Sequence, residues 1–279
     1  MRDRIGFMQG RFSPLINGRI QAFPWEFWQD EFIIAQENQF NLMEWTLDQE
    51  MLYDNPLLTF SGQSKIKNLC EKYSIEIASL TGDCFMQSPF WKKEGVERES
   101  LQNDFVNIIE ASSNVGISMV VLPLVDTGRL ESLEQENILI DFLQSKINFF
   151  KTLKVKIIFE SDFASDNLIR FIDSLDPEFF GLNYDVGNSA SLGMNPSEEI
   201  ETYGHRIMNV HIKDRLLGGT TVPLGFGNAN FDAVFSALAK INYSGNYILQ
   251  TARDKNNEHT KVLCEYRNLV SEWIVRYGA

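Results

Sequence analysis

The sequence is poor in the residue that builds disulfide frameworks and thiolate metal sites. Its 279 residues include three cysteines, Cys70, Cys84 and Cys264, which lie far apart and form no Cys-x-x-Cys pair. Disulfide-rich domains and cysteine zinc sites need paired cysteines, so this composition argues against both classes. An odd number of isolated thiols fits a reducing compartment, and we expect a cytoplasmic protein.

Long apolar runs are also missing. No run approaches the ~18 apolar residues that a membrane span needs. The first ten residues place charges beside too few apolar side chains for a secretory signal. We therefore expect neither membrane insertion nor export.

The sequence has fewer basic than acidic residues. The chain has 25 Lys and Arg against 38 Asp and Glu, a net charge of −13. Such a surface repels nucleic-acid phosphates and anionic lipids at long range, so neither nucleic acid nor a membrane is expected as a partner. The hydrophobic fraction of 44% and the charged fraction of 23% are ordinary for globular proteins, which excludes general disorder.

Short apolar runs alternate with longer amphipathic stretches about eight times, the pattern of repeated βα units. Most of the apolar runs lack polar alternation, as expected for strands buried on both faces of a parallel sheet. The predicted strands are Ile5–Met8, Leu42–Trp45, Ile75–Leu80, Met119–Leu122, Val155–Phe159, Phe180–Tyr184, Ile207–Ile212 and Tyr247–Leu249. The predicted helices are about Trp25–Asn38, Ser61–Tyr73, Gly95–Val115, Ser132–Leu153, Ser165–Leu175, Pro196–His205, Asp232–Ile241 and His259–Tyr277.

Eight such units predict an α/β fold, a single (β/α)8 TIM barrel over residues 1–279. An open doubly wound sheet is the alternative. No Gly-x-Gly-x-x-Gly follows the first predicted strand to support it. No linker or low-complexity stretch suggests a second domain.

In a TIM barrel the chemistry lies at the carboxyl ends of the strands. Four consecutive predicted strands end there in residues able to bind metal, which are Glu160, Asp185, His211 and Gln250. Two carboxylates, one imidazole and one amide oxygen suit Mn²⁺, Mg²⁺, Co²⁺ or Zn²⁺, so we predict one divalent metal ion. Any one of these carboxylates could instead cap a helix or pair with a lysine. Other polar residues after strands are Gln9, Arg11, Glu44, Asp83, Asp126, Asn188, Lys213, Asp214 and Arg253.

Longer segments around these residues carry a family resemblance. They are Phe159–Ser161, Asn183–Asn188, Asn209–Asp214 and Pro223–Gly227, together with Ile5–Arg11 and Met43–Trp45. In combination they resemble the sugar phosphate isomerase/epimerase group of the xylose isomerase-like TIM-barrel superfamily. The resemblance implies a divalent cation held by the four metal-binding candidates, with a sugar or sugar phosphate over it. It also implies proton removal next to a carbonyl through a metal-stabilised enediolate.

Two positions depart from the family pattern. The family usually has glutamate at the position of Gln250, opposed to the glutamate at Glu160 as an acid/base pair, and glutamine cannot accept a proton. Many members also carry histidine near Asn188. One-base isomerisation, a lyase or dehydratase step, and a catalytically altered, carbohydrate-binding barrel therefore stay open. Glu44 or Asp214 could reach the vacant face and act as the second base.

The remaining candidates are assigned by position. Glu160, Lys213 and Glu44 are the candidate catalytic residues. Arg11 and Arg253 end the first and last strands, which would be neighbours, and could clamp a carboxylate or phosphate. The substrate-binding candidates are Gln9, Arg11, Asn188, Asp214, Gly225, Gly227 and Arg253. For the charged ones, a loop salt bridge or an ordinary surface position is the alternative.

Two further expectations concern partners. The resembled superfamily includes abasic-site endonucleases, which bind anionic duplex DNA and assemble three zinc ions with many histidines. Three histidines in total and the acidic balance argue against that activity here. The aromatic cluster Phe23–Trp28 is expected to form a substrate lid or a subunit contact, the latter in a homo-oligomer.

Overall fold

The computed structural model describes residues 4–279, in which eight parallel strands close into a barrel. The barrel strands are β1 (Ile5–Met8), β2 (Leu42–Thr46), β3 (Glu76–Thr81), β4 (Met119–Leu124), β5 (Lys156–Ser161), β6 (Phe180–Asp185), β7 (Ile207–Ile212) and β10 (Asn246–Leu249). Neighbours in the chain pair with one another, and β10 pairs with both β7 and β1 to close the ring. The predicted single TIM barrel is confirmed; residues 1–3 of the predicted domain lie outside the described residues.

Helices follow the strands, and the longer ones form the outer layer. They are α1 (Asp30–Glu37), α2 (Phe60–Tyr73), α3 (Asp83–Gln87), α4 (Gly95–Asn114), α5 (Leu133–Ser145), α6 (Ile147–Leu153), α7 (Ser165–Asp173), α8 (Val186–Leu192), α9 (Pro196–Tyr203), α10 (Phe231–Lys240) and α11 (His259–Tyr277). Several begin at a capping side chain: Thr59 accepts from the N–H of Gly62, and Ser132 accepts from that of Gln135. None of the helices in residues 4–279 has the length and apolar character of a membrane span.

The strands are buried on both faces, which explains their continuous apolar sequences. Every residue of β6 is buried, and Phe159 of β5 packs against Phe171 of α7 with ring centroids 5.1 Å apart. Inside the barrel, Met8 and Ile248 belong to a small separate apolar cluster. The polar residues that follow the strands lie above this interior, at the carboxyl end of the barrel.

Two helix predictions needed correction. The predicted helix Trp25–Asn38 begins only at Asp30, and the predicted Ser132–Leu153 is divided into α5 and α6. The backbone leaves helical geometry at Lys146, with φ of −104° and ψ of 7°.

The expectation of a lid or subunit contact was wrong for Phe23 and Trp28. Both are buried in the main core, and both rings pack on Trp45 of β2. Their apolar surface is therefore used inside this chain.

Several short elements were not predicted. Those near the candidate site are α3, α8 and an antiparallel hairpin of β8 (Asp214–Arg215) and β9 (Thr221–Val222). All of them follow barrel strands on the face where the polar residues gather. They are too short to give a periodic signal in the sequence.

Candidate active site

Three of the predicted metal ligands converge at the mouth of the barrel. Glu160 near the end of β5, Asp185 at the end of β6 and His211 in β7 each offer one ligand atom, and these atoms lie within 4.8 Å of one another. Nδ1 of His211 is 3.2 Å from Oε2 of Glu160 and 3.9 Å from Oδ2 of Asp185. All three side chains are buried. The parallel register causes this convergence, since Asp185 pairs directly with His211.

Glu44 fixes the orientation of the histidine. Its Oε1 lies 2.7 Å from Nε2 of His211, while its Oε2 accepts hydrogen bonds from Ser79 at 2.6 Å and Asn209 at 3.1 Å. This contact holds a proton on Nε2 and turns Nδ1 toward Glu160 and Asp185. Glu44 is fully buried on the far side of the ring, so its position suits orienting His211 rather than touching substrate.

The charges and free lone pairs of Glu160, Asp185 and His211 suit the binding of a cation. Nδ1 of His211 is buried without a well-formed hydrogen bond among the described residues. Burial alone would lower the pKa of His211, but Glu44 and Glu160 outweigh it and raise the pKa to about 10. Two carboxylates and an imidazole with an open ring nitrogen are a donor set for a divalent metal ion, which would displace a proton on binding.

Asn188 joins the two carboxylates. Its side-chain N–H donates to Oε1 of Glu160 at 2.6 Å, and its backbone N–H donates to Oδ1 of Asp185 at 2.8 Å. Asn183 donates to the other oxygen of Glu160 at 3.0 Å. Burial acts to raise the pKa of Glu160, but contacts with His211 and the charge of Lys213 hold it below its usual value. Glu160 is therefore an ionised, fixed carboxylate at neutral pH.

Lys213 lies between a carboxylate and the fourth predicted ligand. Its Nζ is 2.7 Å from Oδ2 of Asp185 and 2.9 Å from Oε1 of Gln250. Burial and Glu160 raise the pKa of Asp185, whereas Lys213 opposes them. The ammonium group thus occupies one lone-pair direction of the Gln250 oxygen, and coordination of a metal by Gln250 stays a prediction.

Another acidic residue, Asp83, faces the cleft from the end of β3. Oδ2 of Asp83 accepts from Nε2 of Gln21 at 2.5 Å, and Oε1 of Gln21 accepts from Nε2 of Gln250 at 2.8 Å. Burial, with help from Asp48, raises the pKa of Asp83 to about 7. Its place after a strand was a signal in the sequence, although no role was assigned to it. Gln21, in an irregular loop, gave no such signal.

Part of this group lines a cleft of about 590 Å³, namely Gln21, Asp83, Glu160, Asn188, Lys213 and Gln250. Its polar lining comes from both halves of the barrel and includes Arg215 of the β8–β9 hairpin, which donates to Oδ1 of Asn188 at 2.8 Å. Lys213 and Arg215 supply cations to a lining that also contains the carboxyl groups of Asp83, Asp126 and Glu160. The cleft therefore suits a small oxygen-rich or anionic molecule.

Arg11 and Arg253, which were predicted to clamp an anion, form hydrogen bonds within the protein. Arg253 donates to the carbonyl oxygens of Gly10 and Ser13, which fastens the loop after β1 to the loop after β10. Arg11 is buried and donates to Gln21 at 3.3 Å. Burial and the nearby Arg253 lower the pKa of Arg11 to about 9. Binding of a substrate anion by either residue stays a prediction.

Gln9 lies inside the barrel mouth, below the cleft. It is fully buried, and its Oε1 accepts from the backbone N–H of Thr46 at 3.2 Å. Its contact ties β1 to β2. Its predicted role in substrate binding is not supported by a place in the lining of the cleft.

Asp214 organises the loop that contains the two predicted glycines. Its Oδ2 accepts from the N–H groups of Gly225 and Gly227, each at 2.9 Å, and its Oδ1 accepts from that of Ala229 at 3.0 Å. A Cβ on Gly227 would lie 2.1 Å from Asp214 Oδ1, so only glycine fits there. The Gly-x-Gly segment and Asp214 thus shape the loop after β9, and Asp214 is fully buried.

Comparison with known proteins adds to this geometry. The putative L-ribulose-5-phosphate 3-epimerase of Haemophilus influenzae is 24% identical over 270 residues, 89% of this chain and 91% of that protein. The inosose dehydratase of Geobacillus kaustophilus is 26% identical over 172 residues, 53% of this chain and 54% of that protein.

Solved structures show the same fold. The xylose isomerase domain protein from Planctomyces limnophilus superimposes with a TM-score of 0.74 at 17% sequence identity, over 99% of this chain and 98% of that chain. The family described as xylose isomerase-like TIM barrel matches residues 32–267, from α1 into α11. Because that match spans most of the sequence and the barrel is closed as the family description requires, this chain belongs to the xylose isomerase-like TIM-barrel family.

Proposed function

We propose that this protein is a divalent-metal-dependent enzyme of the sugar isomerase or epimerase class. It would remove the proton next to the carbonyl of a ketose or ketose phosphate. The observation that carries the proposal is the convergence of Glu160, Asp185 and His211, with Nδ1 of the histidine turned toward the two carboxylates. The similarity to an L-ribulose-5-phosphate 3-epimerase over most of both chains supports this substrate class.

The metal ion would be held by Glu160, Asp185 and His211. Bound there, it would polarise the substrate carbonyl and stabilise the negative charge that develops on its oxygen. Gln250 is the proposed fourth ligand, since its amide oxygen has a second lone pair beside the one facing Lys213. Mn²⁺, Co²⁺, Zn²⁺ and Mg²⁺ all accept such oxygen and nitrogen donors.

Residues of this chain supply the other functions. Glu160, ionised and held by Asn183 and Asn188, takes the proton from the substrate carbon. Lys213 and Arg215 face the cleft and bind substrate hydroxyl or phosphate oxygens. Asn188 keeps Glu160 and Asp185 at a fixed separation while the substrate binds.

A dehydratase is the second candidate function. The observation in its favour is Gln250, because an elimination needs one base on the substrate carbon and no second carboxylate at that position. The similarity to inosose dehydratases agrees with it. A dehydratase would release water and form an unsaturated ketone, whereas an isomerase or epimerase leaves the formula of the sugar unchanged.

The proposal is tested by reconstitution and proton NMR in D₂O. The purified chain is loaded with each of the four metals and incubated with pentuloses and hexuloses, free and phosphorylated, each with its C3 epimer. We expect one metal per chain and deuterium incorporation next to the carbonyl of at least one ketose. Glu160→Gln should lower the exchange rate by at least about two orders of magnitude.

Three outcomes would contradict the proposal or redirect it. A chain that binds none of the metals and shows no change in melting temperature would overturn it. Sugar binding without exchange would favour a carbohydrate-binding barrel. Loss of water with formation of a conjugated ketone, visible by ultraviolet absorption, would identify the dehydratase.

A further inference from the structure

The cleft contains one buried carboxyl group, that of Asp83, that the proposed function does not use. Asp83 is the first residue of α3, directly after β3, and its side chain lines the cleft together with Glu160, Lys213 and Gln250. It is about nine-tenths buried, with 8% of its surface exposed. The backbone around it is fixed, since the N–H of Cys84 donates to the carbonyl of Leu47 at 3.0 Å. Asp83 therefore has a defined place in the lining of the cleft.

The side-chain amide of Gln21 connects Asp83 with Gln250, the position where the family usually has glutamate. Nε2 of Gln250 donates to Oε1 of Gln21, and Nε2 of Gln21 donates to Oδ2 of Asp83. The carboxyl group thus stands on the side of the cleft formed by the loops after β1, β3 and β10. Gln250 can orient this chain of hydrogen bonds, but it cannot donate a proton to carbon or accept one from it.

The charges around Asp83 allow it to hold or release a proton near neutral pH. Asp48 and Glu160 act against its ionisation, while Lys213 and the hydrogen bond from Gln21 favour it. Arg11 lies within electrostatic range on the β1 side. Burial is the largest influence, and the resulting pKa of about 7 suits general acid/base catalysis.

We propose that Asp83 is the second acid/base residue of this enzyme and acts on the opposite face of the substrate carbon from Glu160. This inference rests on the proposed function. Glu160 takes the proton as the C–H bond breaks on one face, and the carboxylic acid of Asp83 gives its own proton as a C–H bond forms on the other. The sugar keeps its formula and is inverted at that carbon. Glu160 is left protonated and Asp83 ionised, and both exchange with water before the next turnover.

The test uses Asp83→Asn and both members of each C3-epimer pair in D₂O. The variant keeps an oxygen that can accept from Gln21, so the local structure is retained. We expect exchange into one epimer within about tenfold of the unmodified rate, because Glu160 still removes that proton. Interconversion of the epimers should fall by at least about 100-fold. Glu160→Gln should lose exchange in the epimer that Asp83→Asn retains.

Asp141→Asn, an exposed position on the outer face of α5, is the matched control and should leave both rates unchanged. The change of kcat/KM with pH near neutral pH should be absent in Asp83→Asn. Interconversion at the unmodified rate, or an equal loss of exchange from both epimers, would overturn the role of Asp83. Exchange without inversion in the unmodified enzyme would overturn it too, while leaving the proposed isomerase function standing. Absence of both metal binding and exchange would refute the proposed function itself and the role of Asp83 with it.

Discussion

At the scale of single residues, the site depends on how His211 is held. Glu44 binds one ring nitrogen, and the other faces Glu160 and Asp185. An imidazole clamped in this way presents Nδ1 to a cation without searching rotamers, so the site is formed before metal arrives. Glu44 is in this sense a positioning residue.

We predict that His211→Ala abolishes stabilisation by metal. A metal present at 100 times its dissociation constant should stabilise the unmodified protein by about 2.7 kcal/mol, a readily measured rise in melting temperature. The variant should show no such rise with Mn²⁺, Co²⁺ or Zn²⁺. His205→Ala, at an exposed histidine away from the cleft, is the control and should respond like the unmodified protein. An undiminished response in His211→Ala would place the metal elsewhere.

We also predict that Asp83→Asn stabilises the protein in a pH-dependent way. The pKa of Asp83 rises from an ordinary 3.8 to about 7 on folding, so the folded state holds this proton more tightly than the unfolded state. Stability is therefore lost as pH rises from about 4 to about 7, and the loss is constant above that. At about 1.4 kcal/mol per pKa unit, the penalty that asparagine removes is at most about 4 kcal/mol.

Urea unfolding of both proteins across this pH range measures the effect. The curves should coincide below pH ~4 and separate progressively up to neutral pH. A constant difference at all pH values would mean that Asp83 titrates normally. Asp83 would then destabilise the folded protein near neutral pH, where its proposed catalytic role requires it to gain and lose a proton.

At the scale of elements, the sequence predicted the barrel because short apolar runs, most of them without polar alternation, alternate about eight times with amphipathic stretches. Glu160, Asp185 and His211 came together because adjacent parallel strands place successive strand ends side by side. What could not be predicted depends on contacts across the barrel. The pairing of Glu44 with His211 joins residues 167 positions apart, and no local pattern records it.

Loops limited the prediction in a similar way. The role of Gln21 is set entirely by its two partners, Asp83 and Gln250, on distant strands. The hairpin of β8 and β9 is two residues long on each side, too short for an alternating pattern. Asp214 and Gly227 were found as a motif, but their contact with each other, rather than with substrate, needed the structure.

We predict that Gly227→Ala damages the loop after β9. A Cβ there would meet Oδ1 of Asp214 at 2.1 Å and the carbonyl of Arg215 at 2.6 Å. The carboxylate would have to give up backbone N–H groups that it now accepts, which disturbs the hairpin that presents Arg215 to the cleft. Overpacking of this kind should cost roughly 1–3 kcal/mol of unfolding free energy, and KM should rise more than kcat falls.

The variant Gly225→Ala adds backbone strain to the same loop without a steric clash. Gly225 has φ of +87°, but a Cβ there would meet nothing within 4 Å, so only conformational strain is added. That strain is worth about 1–2 kcal/mol. Thermal unfolding of the two variants should therefore rank Gly227→Ala as the less stable. Equal stability would show that the loop moves away from Asp214 without cost.

At the scale of the whole molecule, the cleft brings several cations together in an acidic chain. The chain carries a net charge of −13, whereas Lys213, Arg215 and Arg19 line the cleft together with the carboxyl groups of Asp83, Asp126 and Glu160. A small anion that enters the cleft meets these cations at short range, where screening by salt is incomplete. A long polyanion must instead lie across the acidic surface outside it.

This arrangement predicts that duplex DNA does not bind. Non-specific DNA affinity comes from lysines and arginines that neutralise a row of phosphates and release counterions, and three cations within one cleft cannot form such a row. At micromolar protein and about 0.15 M salt, we expect no shifted band with either intact or abasic duplex and no cleavage of the abasic strand. A phosphorylated ketose should bind under the same conditions and serve as the positive control. A salt-sensitive DNA complex would contradict the prediction and direct attention to the basic residues outside the cleft. Cleavage that disappears in His211→Ala would assign nuclease chemistry to the metal site itself.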